Sequence, residues 1–183
     1  YAGSMPGSFD TSNREVLEKD ADGEWFRQTA ELLVIPFADK DGVEDGDQGK
    51  NRRPHDHNRD YGEGSLYPET RALKEFVPAW SAGKLRVALD LHCPWIRGDA
   101  NEYIYIVGAK EPATWAQQQR FGQLLEKVQT GPLVYRTADN LPFGQKWNTD
   151  ANFKGGVSAA RWCATLPRAR VFGLVHACAG PGC

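Results

Sequence analysis

Three short apolar runs constrain this chain more than anything else in it: Leu32-Leu33-Val34-Ile35-Pro36-Phe37, Leu85-Arg86-Val87-Ala88-Leu89-Asp90-Leu91 and Tyr103-Ile104-Tyr105-Ile106-Val107. Each has the length of a strand, and a short continuous apolar run between turn residues fits a strand buried on both faces. Between the first two, Pro68 to Ala82 carries a helical pattern. Pro68 suits the first turn, Glu69 stands beside it, and Leu73, Phe76, Val77 and Trp80 share one face. Pro78 lies inside that pattern and predicts a kink or an end there. After the third run, Pro112 to Gln129 predicts an amphipathic helix through Trp115, Phe121, Leu124, Leu125 and Val128. This order predicts an α/β fold with a mixed, largely parallel sheet flanked by helices. The length, 183 residues, suits one such domain. Gly23 to Ala30 reads as a helical turn or two. Residues 1–22 read as a poorly structured N-terminal segment and 23–183 as the domain. With its opening Tyr1 and single methionine at Met5, the N-terminus reads as cut from something longer.

Charge narrows the partners. Lys plus Arg number 22 against 24 for Asp plus Glu, a formal charge of −2, so nothing recruits a polyanion and nucleic acid is not expected. No apolar run approaches the roughly 18 residues that span a bilayer, so no membrane partner is expected, and Tyr1 to Asp10 lack the pattern of an export signal. Cys93, Cys163, Cys178 and Cys183 form no C-x-x-C pair. That excludes a zinc ribbon and favours a reducing, cytoplasmic compartment.

The stretch Asp39 to Leu66 is too long for a plain connector, and long loops after strands are where function concentrates. Its first part, Asp39 to Asp47, fails the EF-hand spacing at Val43 and reads as a solvated turn cluster. Its second part, Asn51-Arg52-Arg53-Pro54-His55-Asp56-His57-Asn58-Arg59-Asp60-Tyr61, packs three arginines, two histidines and amides together. Guanidinium groups match the two oxygens of a carboxylate, so the stretch is either a carboxylate clamp or a salt-bridged surface loop. His92 stands at the carboxyl end of the second apolar run, where ligands gather in open α/β sheets. It is a metal-ligand candidate against the reading of a satisfied structural histidine. Convergence of His55, His57 and His92, or chelation by His57 with Asp60, is a further possibility. Gly144 to Gly156 reads as a rim loop before a helix with Val157, Ala160, Trp162 and Cys163, and His176 as incidental.

In order, Val34-Ile35-Pro36-Phe37 with Asp41-Gly42-Val43, then Asp56-His57-Asn58-Arg59, then Asp90-Leu91-His92 resemble the zinc metallocarboxypeptidase family, the carboxypeptidase A-like enzymes and especially their cytosolic and bacterial members. The resemblance covers Trp25 to Pro167. It implies a zinc-dependent hydrolase that removes C-terminal residues from peptides, with residues 23–183 a partial catalytic domain. It also implies one zinc ion with His92 as third ligand, Asp90 orienting a ligand, and Asn58 and Arg59 holding the substrate carboxylate. The family's carbonyl-polarising arginine falls at Gly49, where Lys50, Arg52 and Arg53 are the neighbours able to substitute, and Arg52 is taken as a substrate-binding candidate. A sister reading is an acyl-amino-acid deacylase of the same fold. A non-catalytic module that binds peptide carboxylates is a third.

The chain departs from the family in two respects. No His-x-x-Glu occurs in it, and no acidic residue follows Asp150. A catalytic zinc needs three protein ligands, and a carboxylate must carry the proton to the leaving amine. By this resemblance the chain is a fragment or a degenerate copy, with its catalytic residues unassigned.

Overall fold

The structure, a computed structural model, describes residues 18–47, 49–92, 103–130 and 134–175. Readings placed on residues 1–17, Cys93, His176, Cys178 and Cys183 lie outside these. Helix α1 (Ala21–Thr29) starts where the Asp20 carboxylate accepts the Gly23 N–H at 2.8 Å. An N-cap of this kind satisfies a donor that the first helical turn leaves open. The helix thus begins inside the segment 1–22 that was expected to lack structure.

The first apolar run is not a strand. Residues 31–37 pair with nothing in the described sheet, and Leu32, Ile35 and Phe37 are 39–48% exposed. Apolar content alone does not distinguish a buried strand from an extended connector, and Pro36 removes one backbone donor. The next stretch differs from expectation as well. Asp39 to Asp47 is a capped helix, α2 (Lys40–Asp45), rather than a turn cluster. Asp39 accepts the Gly42 N–H at 3.1 Å, and Gly46, at φ 74°, supplies the left-handed residue that ends it.

Helix α3 (Pro68–Ser81) begins with proline at its first position and runs one turn past Pro78. A proline this near the end removes one ladder bond only, and the Ala82 N–H closes the turn on the Pro78 carbonyl. Its buried residues are Thr70, Val77 and Ser81, whereas Phe76 from the expected apolar face is exposed. Strands β1 (Val87–His92) and β2 (Tyr105–Val107) follow, then helix α4 (Pro112–Val128), helix α5 (Ala159–Cys163) and strand β3 (Arg170–Val175). In α4, Gln118 is buried and ties the helix to the end of β2: it accepts the Ala109 N–H at 2.8 Å and donates to the Val107 carbonyl at 3.3 Å. Leu124 and Val128 of the expected apolar face are exposed.

The sheet has the order β1-β3-β2. β1 and β3 run parallel from Val87↔Arg170 to His92↔Val175, while β2 runs antiparallel to β3 from Tyr105↔Val175 to Val107↔Gly173. The middle strand was not expected from sequence at all. Tyr105 and Leu141 form the packed core beside β2, with Val107 against them. Asn148 is buried there and donates to the carbonyls of Gly108 and Leu141 at 2.9 and 3.1 Å. Helix α5 packs on β1 and β3, which brings its N-terminus to the carboxyl half of β1.

Candidate carboxylate and metal site

The loop 55–67 holds its shape through one carboxylate. Asp60 is buried and accepts the N–H groups of Leu66 and Tyr67 at 2.8 and 3.0 Å, and its Oδ1 lies 3.0 Å from His55 Nε2. Burial opposes ionisation of Asp60, but those two N–H donors and the nearby imidazole outweigh it, so its carboxyl sits below the usual range. Tyr67 adds a donor to the His55 carbonyl at 2.6 Å and stacks on His57 at 4.8 Å. His57 is buried, and its Nε2 meets Glu69 at 3.1 Å. The chelating pair expected of His57 and Asp60 is therefore not formed: Asp60 takes His55, and His57 takes Glu69.

With that frame fixed, the short 3-10 turn His57–Arg59, capped by Asp56, turns Asn58 toward the end of β1. Asn58 Nδ2 lies 2.9 Å from His92 Nε2, and Asn58 Oδ1 accepts the Ala159 N–H at 2.9 Å. On its other side the His92 ring meets Asp90, with Nδ1 2.5 Å from Oδ1. A carboxylate at Nδ1 makes that nitrogen the donor and leaves the Nε2 lone pair facing the Asn58 amide. Burial works against the Asp90 charge, yet His92 and the Ala160 N–H outweigh it and keep the carboxyl below its ordinary value. The first turn of α5 thus donates to both Asn58 and Asp90, and Ser158 caps it by accepting the Arg161 N–H at 3.2 Å.

Arg59 is half-buried beside this cluster. One guanidinium nitrogen donates to the Asn58 carbonyl at 2.8 Å, another reaches the Asn152 carbonyl at 3.5 Å, and the group lies 5.3 Å from the Phe153 ring centre. Among the described residues its other N–H groups make no hydrogen bond. The rim residues hold it from behind. The Val157 N–H donates to the Arg59 carbonyl at 3.1 Å, and Tyr61 N–H to the Val157 carbonyl at 3.0 Å. Gly156, at φ 141°, lies so close to that carbonyl that any Cβ would collide with it.

Of the residues singled out from sequence, Asn58, Asp90 and His92 come together and Arg59 bonds to the Asn58 carbonyl, while Arg52 is committed elsewhere. Its guanidinium pairs with Asp39 at 3.3 Å and with Asp47 at 3.1 Å, beneath the Tyr67 ring. Gly49 lies in a 3-10 turn, Gly49–Asn51. Asp150, the last acidic residue, pairs with Lys110 at 2.8 Å in an exposed position. Burial and then the Asp90 charge push the Cys163 thiol up to about 12, and burial pushes the Tyr61 phenol up as well. Neither side chain is a nucleophile at neutral pH.

Two groups of potential ligands emerge. The His92 ring is held by Asp90 at Nδ1, an arrangement that coordinating histidines also use. However, among the described residues no group of three closely spaced ligand atoms includes it. The described chain therefore offers zinc one oriented donor at His92, short of what zinc needs, and no metal-borne step follows from it. The second group is Asp39, His57 and Glu69, whose ligand atoms lie within 4.8 Å of one another. The sequence had marked Glu69 only as a first-turn acid and Asp39 only as a turn residue. A carboxylate capping a helix and another in a first helical turn, with a histidine between them in sequence, was the available signal. No family model, curated protein or solved structure matches the chain, and among the described residues no helix is long and apolar enough to cross a membrane.

Proposed function

We propose that this chain carries the carboxylate-recognising part of a zinc-dependent carboxypeptidase-type hydrolase, which removes C-terminal residues from peptides. The observation that supports this reading is the 2.9 Å contact between Asn58, from a long polar loop, and His92, at a strand end. It joins an amide to an imidazole held by Asp90, and the next residue along the chain, Arg59, brings a half-buried guanidinium to the Asn58 carbonyl. In this reading Arg59 grips a terminal carboxylate with its unengaged N–H groups, and Asn58 donates to the same carboxylate by turning from His92. His92, released from Asn58, presents Nε2 beside the scissile bond, and Asp90 holds the ring and the proton on Nδ1.

A second reading, a peptide-binding module without hydrolysis, is favoured by one observation: His92 lacks further zinc donors among the described residues. Both readings need the carboxylate anchor, so the anchor is tested first. Calorimetry should show benzoyl-Gly-Phe binding as the free acid at least tenfold tighter than its amide. Arg59→Lys, which keeps the charge but loses the fork, should weaken the acid by about tenfold or more. Equal binding of acid and amide, or an unaffected Arg59→Lys variant, would remove both readings. Cleavage of the same peptide then separates enzyme from module, and cleavage of benzoyl-Phe alone would mark a deacylase.

A further inference from the structure

We infer that Asp39, His57 and Glu69 form a binding site for a divalent transition-metal ion, zinc-like in its ligand preference, separate from His92. The three come from different segments: the cap of α2, the 3-10 turn of the site loop, and the first turn of α3. Two carboxylates and one imidazole are a donor set that zinc accepts, leaving a fourth position for water.

Burial and an orphaned atom carry the inference. His57 is 5% exposed and walled by the Tyr67 and Tyr61 rings, so its polar edge needs a partner. Glu69 supplies one at 3.1 Å. Asp39 Oδ2, in contrast, is buried and has no hydrogen-bond partner, although Asp39 Oδ1 serves Gly42 and Arg52. A buried carboxylate oxygen left unpaired is costly, and a cation between it and the His57–Glu69 pair removes that cost. Donors around tetrahedral zinc stand about 3.3 Å apart, given bonds of roughly 2.0 Å. The His57–Glu69 spacing already matches this, and the ligand atoms of all three residues lie within 4.8 Å of one another, so closing the set asks for a shift of Asp39 alone.

The local charge agrees. Arg52 is the one cation in contact with Asp39 among the described residues, and Asp47 pairs with it at 3.1 Å. Three carboxylates, Asp39, Asp47 and Glu69, thus share one guanidinium, and a dication balances the excess of negative charge. Gly42 lets the carboxylate lie where it does, since a Cβ there would overlap both Asp39 oxygens. The ion would fasten three segments around the turn that presents Asn58 and Arg59.

The test uses the full chain, stripped with a chelator and titrated with zinc alone. One equivalent should bind and raise the melting temperature. Glu69→Gln, a half-exposed position that keeps its shape, should weaken zinc at least tenfold and abolish the thermal shift. His92→Ala should change neither. With cobalt in place of zinc, a visible ligand-field band should appear in the wild type and be lost in Glu69→Gln. Absence of zinc binding overturns the inference, as does a Glu69→Gln variant that binds like the wild type. Loss of the zinc in His92→Ala overturns it too. The peptide-carboxylate assay with Arg59→Lys reads a different ligand, so either idea can fail without the other.

Discussion

In Gly156→Ala the added methyl group meets the Arg59 carbonyl oxygen and cannot be accommodated without moving one of the two backbones. Three terms set the magnitude. Holding a non-glycine residue at φ 141° costs about 1 to 3 kcal/mol. Displacing the Arg59 carbonyl weakens two hydrogen bonds, Val157 N–H to Arg59 and Tyr61 N–H to Val157, each worth roughly 0.5 to 1.5 kcal/mol. The stiffer unfolded chain returns about 0.4 to 1 kcal/mol. The net expectation is a loss of about 3 kcal/mol, measurable as a lower urea midpoint by tryptophan fluorescence. Gly64→Ala is the control: its φ of 71° brings the strain, but a Cβ there meets nothing within 4 Å. It should cost less than half as much. A Gly156→Ala midpoint within about 0.5 kcal/mol of the wild type would refute the claim that rim and loop are locked together at Arg59.

Two further outcomes follow from the polar contacts. Asn58→Ala takes the acceptor from the Ala159 N–H and the amide from His92 Nε2, so urea unfolding should show a loss of about 1 to 3 kcal/mol; an unchanged midpoint would place these groups apart in solution. Asp60 has a folded pKa below its unfolded value near 4, so its stabilisation is complete above that pH and is lost as pH falls through the folded pKa. Urea unfolding from pH 7 to pH 3 should therefore show a shallower acid loss in Asp60→Asn than in the wild type, and identical slopes would count against the buried contacts of Leu66 and Tyr67.

Helices α3 and α4 were legible because their signals are local: a proline at the first position and an apolar spacing near 3.6 residues. The sheet was harder, because a strand needs a partner that its own residues do not name. Leu32 to Phe37 has the composition of a strand and no partner in the described sheet, whereas Arg170–Val175, for which no strand is expected from sequence, takes the middle of the sheet. The candidate site divides in the same way. Asn58, Arg59 and His92 were visible as residue types in order along the chain. Pairing depends instead on which segment folds back, and so Glu69 reaching His57, Asp39 left with a bare oxygen, and the α5 N–H groups serving Asn58 and Asp90 were not visible.

The strand order has a consequence for how the molecule is made. In the described sheet β1 and β2 are joined through β3, which leaves the ribosome roughly sixty residues after β2, several seconds at ordinary rates of synthesis. During that interval both strands have bare edges turned toward the place β3 will take, and bare edges recruit other chains. Yield in cells should thus depend on how quickly translation delivers the late strand, and a pause placed before Arg170 should lower the soluble fraction more than the same pause placed after Val175.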